Sequence, residues 1–284
     1  MTVTFQRIEA RLAHEPPGID TALVAEWLVE FLRDELQRRR GIDRAVLGLS
    51  GGVDSAVTAF LCARALGPHN VHAFRLPYAA SSKSSLDDAQ LVVDATGIHC
   101  RTIEITAAVD GYLQFEPDAS SRRRGNVMAR TRMLVLFDQS AKLDALPVGT
   151  GNKTERLLGY FTWHADDTPP VNPIGDLLKT QVWALARYLG VPAQLIDKAP
   201  SADLEAGQTD EGDLGISYAR ADAILDYLLL GYDDVQLSAR GFDVRDVRLV
   251  RRLVDATHWK RHLPTTAMLT GTAINEFYLR PVDF

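Results

Sequence analysis

The passage from Arg44 to Gly67 constrains this chain more than any other. A short apolar run, Arg44 to Leu49, ends in Ser50-Gly51-Gly52-Val53-Asp54-Ser55, and the helix-forming stretch Ala56 to Leu66 follows up to a glycine stop. Read as strand, tight loop and helix, the segment aims a helix N-terminus and unhindered backbone amides at one place. Such an end carries about half a positive charge and unpaired N–H groups, so it suits an anion, and Ser50 and Ser55 add hydroxyl donors. The loop lacks the lysine of GxxxxGK[ST] and does not fit GxGxxG, so neither γ-phosphoryl transfer nor a dinucleotide fingerprint is indicated. Asp54 puts a carboxylate beside a bound polyphosphate, where it can hold Mg²⁺.

The strand-to-helix alternation repeats. Val71 to Leu76 reads as a strand, Leu86 to Thr96 as a helix stopped by Gly97, and His99 to Ile105 as a strand. Arg122 to Leu143 reads as a long helix, Leu146 to Gly149 as a strand, Asn152 to Leu158 as a short helix stopped by Gly159, and Lys179 to Leu189 as a helix ended by Gly190 and Pro192. An amphipathic helix from Asp20 to Gly41 precedes them. This pattern predicts an α/β fold with a single doubly wound parallel sheet covered by helices on both faces. Ser217 to His258 is helical, with breaks at Gly231 and Gly241, and forms a C-terminal extension. One domain spanning 1–284 is expected, with a sheet core over about 20–190 and a lid loop and helical part over about 191–284. Thr162 to Gly175 and Ala199 to Gly215 read as loops, the second polar and glycine-containing.

The 284 residues carry a formal charge of −6, with 46% apolar and 24% charged residues, which fits a globular chain with a sizeable core and argues against nucleic acid as the main partner. The N-terminus has charges where a signal peptide needs an apolar run, and no segment approaches the roughly 20 apolar residues of a membrane span, so a cytoplasmic location and no membrane partner are expected. Cys62 and Cys100 read as reduced thiols without a CxxC spacing, and the seven histidines show no metal-ligand spacing. Arg38 to Arg40 suits the negative end of the first helix as a solvated cap, whereas Arg122 to Arg124 places cations at the positive end of a long helix.

SGGVDS resembles the loop of the ATP pyrophosphatase (PP-loop) superfamily, whose members hold pyrophosphate as leaving group while a substrate oxygen attacks the α-phosphorus. Later segments narrow the resemblance. Gly125-Asn126-Val127-Met128-Ala129-Arg130-Thr131-Arg132-Met133, Val148 to Glu155, Asn172 to Gln181, Lys198 to Leu204 and Gly207 to Glu211 look like successive motifs of ammonia-dependent NAD synthetases, over roughly residues 20–265. The resemblance implies a Rossmann-like PP-loop fold and a ligase. In its reaction the nicotinate carboxylate of deamido-NAD attacks ATP, and ammonia converts the adenylate to NAD, releasing AMP and pyrophosphate. Mg²⁺ is the implied cofactor, ATP the co-substrate and a homodimer the implied assembly. No amidase domain with a catalytic Cys is evident, so free ammonia is the expected nitrogen donor.

By position, the resemblance implies that Ser50, Asp54 and Lys179 are catalytic, and that Asp54 and Glu155 hold the metal. Gly48, Leu49, Ser50, Gly51, Gly52, Val53, Asp54, Ser55, Arg75, Thr150, Lys179 and Ser201 would bind ATP. Asn126, Arg130 and Lys260, with Trp163, Pro170 and Trp259, would form the deamido-NAD side. The last three are departures, because the family often has Lys, Asp and His there; an aromatic ring can stack on a nicotinate or adenine where an ion pair is lost. Another PP-loop ligase with a different acceptor, or a silent nucleotide-binding protein, are the competing readings. The loops Ala79 to Ser85 and Ala199 to Gly215 are expected to act as lids, since an adenylate must be kept from water.

Overall fold

The computed structural model describes residues 15–79, 81–201, 209–262, 267 and 269. Four parallel strands form one sheet: β1 (Ala45–Gly48), β2 (Val71–Arg75), β3 (His99–Thr102) and β4 (Leu146–Pro147), in the order β3-β2-β1-β4. The register pairs Ala45 with Val71 and with Leu146, and His72 with His99. An isolated parallel bridge, Val148 to Val171, continues the β4 edge. Strand order reverses at β1, so the carboxyl ends of β1 and β4 flank a crevice of the kind in which open α/β sheets bind ligands.

The pleat sends alternate side chains to opposite faces, and both faces are buried at β1 and β2, while the edge strand β3 is largely exposed. Ala45, Leu47, Val71 and Ala73 pack with α1 (Thr21–Arg33), α2 (Val53–Leu66), α3 (Lys83–Thr96) and α7 (Lys179–Leu189). Val46 and Phe74 pack on the other side with α4 (Thr106–Leu113) and α5 (Ser121–Leu143). The expected doubly wound arrangement is therefore present. Ser55, Thr58 and Cys62 of α2 are buried along with its apolar residues, as befits a helix with protein on every side. A further cluster joins α6 (Lys153–Leu158), α10 (Tyr218–Leu229), α11 (Asp234–Ala239) and α12 (Val244–Thr257), and Trp183 of α7 packs against both it and the sheet cluster.

The sequence reading differs from the structure in specific places. Helix α4 stands just after the strand expected to reach Ile105, because that strand ends at Thr102 and Ile105, Val109 and Leu113 turn their apolar side into the core. Two short helices, α8 (Ala193–Asp197) and α9 (Asp210–Leu214), occupy segments without a clear period; α9 lies in the expected second loop, capped by Thr209. Helix α1 continues as a wider turn over Asp34–Arg38, and Arg38, Arg39 and Arg40 pair with Glu30, Asp34 and Glu35. At the start of α5, Arg123 pairs with Glu116 and Arg124 donates to the Ala119 carbonyl, which offsets the unfavourable dipole. Residue 80 and residues 202–208 of the two expected lids, with Asp203, Leu204, Gly207 and Gln208 of the motifs, lie outside the described residues.

Candidate functional site

A cavity of about 1170 Å³ opens at the carboxyl ends of β1 and β4. Its floor is the 48–55 loop. Gly51 has φ +80°, and a Cβ there would run into the Ser85 backbone carbonyl, so only glycine fits. The Ser50 hydroxyl accepts from the Gly52 amide at 3.2 Å and lies 3.1 Å from the Ser55 hydroxyl, which folds the loop back over the start of α2. No side chain caps that helix at Gly52, so its first amides remain available to a ligand anion.

Beside the loop sits a charge cluster assembled from three helices. Lys179 is 2% exposed; its Nζ donates to Asp54 Oδ2 at 2.5 Å and to Glu155 Oε1 at 3.4 Å. Asn152 fixes both carboxylates. Its side chain donates to Asp54 Oδ1 at 2.9 Å and caps α6 by accepting from the Glu155 amide at 3.0 Å, while its own amide donates to Glu155 Oε2 at 3.2 Å. Behind them, buried Asp222 of α10 accepts from Thr154 Oγ1 at 2.5 Å and from the Thr180 amide and hydroxyl, each at 2.8 Å. Thr154 Oγ1 in turn accepts from the Lys179 amide at 2.9 Å, so one carboxylate locks the starts of α6 and α7 together.

The protonation equilibria follow from this crowding. Burial, then the charge of Asp54, pushes the Glu155 carboxyl up to about 8 against the opposing pull of Lys179. Burial alone would lower the Lys179 ammonium, but the charges of Asp54 and Glu155 outweigh it and hold the group above its ordinary range. Asp210 is raised chiefly by burial, and Tyr218 by burial and the neighbouring carboxylates. A cluster with more carboxyl groups than cations calls for further positive charge.

The opposite wall is aromatic. Trp163 and Trp259 meet edge to face with centroids 5.2 Å apart, and Trp259 is 51% exposed. Lys260 donates to the Gly159 and Phe161 carbonyls at 2.8 and 2.6 Å and lies over the Phe161 ring, with its pKa lowered by burial. Arg130 donates to the Trp163 carbonyl at 2.9 Å, and Asn126 accepts from Thr162 at 3.2 Å.

Of the residues singled out from the sequence, the cavity wall contains Gly48, Leu49, Ser50, Gly52, Val53, Asp54, Ser55, Arg75, Asn126, Arg130, Thr150, Glu155, Trp163, Lys179, Ser201, Trp259 and Lys260. Gly51 lies beneath the wall, and exposed Pro170 is not part of it. Both expected lids reach the cavity. Lys198, just before the second, donates to Ser85 Oγ at the end of the first at 3.3 Å and to buried Asp88 at 2.7 Å. Asn152, Lys198 and Asp210 stand within the motifs but have no role assigned from the sequence, and Tyr160, Tyr218 and Asp222 emerge as part of the site only in the structure. Tyr160 and Asp222 carry no local signal, since their partners Asp213, Thr154 and Thr180 are distant in the chain, and the bond of Tyr218 to Asp210, eight residues earlier, crosses a loop without a period.

Among the described residues, no helix is long and apolar enough to cross a membrane, and no cluster of three His, Cys, Asp or Glu side chains is set to hold a metal. The family model for NAD synthase matches residues 24–264. An NH(3)-dependent NAD(+) synthetase of Chlorobaculum parvum is 50% identical over 255 residues, 89% of this chain and 91% of that protein. Among solved structures, the chain resembles an NMN synthetase from Francisella tularensis, with TM-score 0.79, 31% identity and coverage of 88% of this chain and 99% of the other. It also resembles an NH3-dependent NAD synthetase from Campylobacter jejuni in complex with the nitrate ion, with TM-score 0.75, 31% identity and coverage of 88% and 100%.

Proposed function

The chain belongs to the NAD synthase family, and from that premise we propose that its cavity carries out the ATP-dependent amidation of deamido-NAD by ammonia with the residues described above. The observation that carries this assignment is the Lys179–Asp54–Glu155 cluster beside an uncapped helix N-terminus, at one end of a cavity whose other end is aromatic. The polyphosphate of ATP lies on the 48–55 loop, with the Ser50 and Ser55 hydroxyls and the first amides of α2 as donors. Arg75, Thr150 and Ser201 line the same side.

A nicotinate oxygen attacks the α-phosphorus, the bond to the pyrophosphate oxygen breaks, and Lys179 neutralises charge that builds on the leaving group. A carboxylate resists attack by ammonia until its oxygen becomes a good leaving group. In the second step the nitrogen bonds to the acyl carbon, AMP departs with the electron pair, and a proton is released. The protein's contribution is positioning and preset electrostatics, not covalent chemistry.

Mg²⁺ fits the donor set. Such an ion is bound through one or two carboxylates plus substrate phosphates and water, and Asp54 and Glu155, both held by Asn152 beside the 48–55 loop, would offer that pair. When bound, the ion supplies charge neutralisation for the polyphosphate. On the acceptor side, Trp163 and Trp259 take the place of charged groups as a surface for an aromatic ring, flanked by Asn126, Arg130 and Lys260.

We read the sheet and the C-terminal helices as one domain, which the shared packing of Trp183 supports. A homodimer is supported by the exposed apolar residues Leu134 and Phe137 on α5 and Tyr112 and Phe115 around the end of α4. We assign the enzyme to the cytoplasm.

The test is NAD formation by the purified protein with ATP, Mg²⁺, ammonium and deamido-NAD, run beside Asp54→Ala and with nicotinate mononucleotide as a rival acceptor. NAD and pyrophosphate formation that the substitution abolishes is the expected result. A preference for the mononucleotide would reassign the acceptor, and ATP binding without turnover would overturn the reading.

A further inference from the structure

The far end of the sheet carries a second, smaller cavity. It measures about 420 Å³, and its wall includes Arg44, His69, His72, Lys142 and Asp144. Arg44 directly precedes β1, His69 lies in the turn Pro68–Asn70, His72 belongs to β2, and Lys142 and Asp144 stand at the end of α5. These are the amino ends of the strands, whereas the pyrophosphate loop sits at their carboxyl ends. The two cavities share no lining residue.

Uncompensated basic charge sets this cavity apart. Arg38, Arg39, Arg40 and Arg123 all have carboxylate partners. Arg44 instead donates to the Leu143 carbonyl at 3.0 Å. Among the described residues, Arg44, Lys142, His69, His72 and the adjacent His99 form no ion pair. The chain carries a formal charge of −6, so this local excess runs against its overall sign. Strand register places His72 opposite His99, and their rings stack with centroids 5.0 Å apart and planes at 15°; the His69 ring lies 6.1 Å from that of His99. Burial, then His99 and Arg44, holds the His72 imidazole below its ordinary range. Neighbouring positive charge opposes its protonation, and an anion in the same place would favour it.

The wall holds two permanent cations against one carboxylate, and each imidazole that takes up a proton adds positive charge. That balance repels metal ions, and the stacked imidazoles are not set to chelate one. A guanidinium, an ammonium and two imidazoles presented from different elements suit a compact oxyanion with several acceptor oxygens. We propose that this cavity binds a phosphate group, free or as a monoester, between Arg44 and Lys142 with His69 and His72, at the opposite end of the sheet from the reaction. The site is independent of the amidation reading. The groups that face His72 are His69, His99, Arg44, Lys142 and Asp144, so a bound dianion reverses the sign of the charge around its ring. Binding therefore draws a proton onto His72.

The test is NMR of the full chain labelled at its histidine rings, with the His72 signal assigned through His72→Gln. Inorganic phosphate, AMP and, at matched ionic strength, chloride are titrated at about pH 7.5, where an ordinary imidazole is mostly neutral. The His72 signal reports this cavity alone, because phosphate bound at the pyrophosphate loop lies at the other end of the sheet. The expected result is a saturable movement of that signal toward its protonated position, half complete at about 1 mM phosphate or below, and none with chloride. An equal response to AMP assigns phosphate monoesters to the site, and a response to inorganic phosphate alone assigns the free ion. In Arg44→Gln/Lys142→Gln the half-saturating concentration should rise about tenfold or more, and in Lys142→Gln alone, a change at an exposed side chain, about threefold. NAD formation by both variants should stay within about twofold of the unaltered protein. A His72 signal that phosphate leaves in place, a movement that chloride reproduces, or a half-saturation unchanged in the double variant overturns the proposal.

Discussion

The two ends of the cavity are held by different physics. On the nucleotide side the charged groups fix one another: Lys179 lies between Asp54 and Glu155, Asn152 orients both carboxylates, and Asp222 pins α6 and α7, which carry Glu155 and Lys179. On the acceptor side the wall is made of rings and backbone contacts, with Trp259 half exposed and the charged groups of Arg130 and Lys260 donating to carbonyls. Buried charge demands defined geometry, because a misplaced partner leaves an uncompensated ion. Aromatic faces tolerate sliding and exchange of neighbours. The nucleotide end is therefore built for one chemistry, while the acceptor end sets which molecule is presented to it.

The sharpest way to break this contrast is Lys179→Ala. It removes the cation shared by two largely buried carboxylates and the charge that stabilises the departing pyrophosphate. Activity should fall on the order of 10³-fold, and the loss of one partner of a buried pair should cost about 3–5 kcal/mol in stability. Urea unfolding and pyrophosphate release measure the two effects. If activity falls while stability is unchanged, the cluster is not the rigid element described here.

Trp259→Ala probes the other end, where the effect should be confined to binding. Removal of half the edge-to-face pair should raise the KM for deamido-NAD about tenfold, or about 1.4 kcal/mol, and leave the KM for ATP within about twofold. Steady-state kinetics with each substrate varied in turn decide the matter. An equal rise for both substrates would mean that the two ends are mechanically coupled.

The contrast also explains what the sequence made legible. The 48–55 loop could be read because its chemistry is contiguous: strand, glycines, hydroxyls and carboxylate fall within eight residues, and both sheet faces were announced by alternating strand and helix patterns. Glu155 and Lys179 could be placed only through their motifs, since a helix-start carboxylate or lysine looks like any surface residue until folding brings both to Asp54. Asp222 escaped notice because its partners, Thr154 and Thr180, are 68 and 42 residues away. The pairing of Trp163 with Trp259 was equally hidden: each read as an isolated departure, and only the fold shows that they touch. Short helices such as α4 and α9 are set by the core they cover, not by their own period.

The smallest effect tests whether the nucleotide end is as closed as its packing indicates. Cys62 lies in α2, one helix turn and more beyond the loop, wholly buried, and burial pushes its thiol up to about 12 from 9.0. An unfolded cysteine gives up its proton at the lower value, while the folded chain keeps it until the higher one. The folded state thus holds more protons between the two, so this contribution to stability is intact below about pH 9 and is lost as pH rises toward 12, by about 1.4 kcal/mol per pH unit. Cys62→Ala should remove that slope, and the other alkaline titrations cancel when the variant and the unaltered protein are compared by urea unfolding at about pH 9 and 10.5. A slope that stays the same would mean that the thiol ionises as easily in the folded chain as in the unfolded one. Helix α2 would then admit water behind the pyrophosphate loop, and the division between a fixed nucleotide end and an adaptable acceptor end would no longer hold.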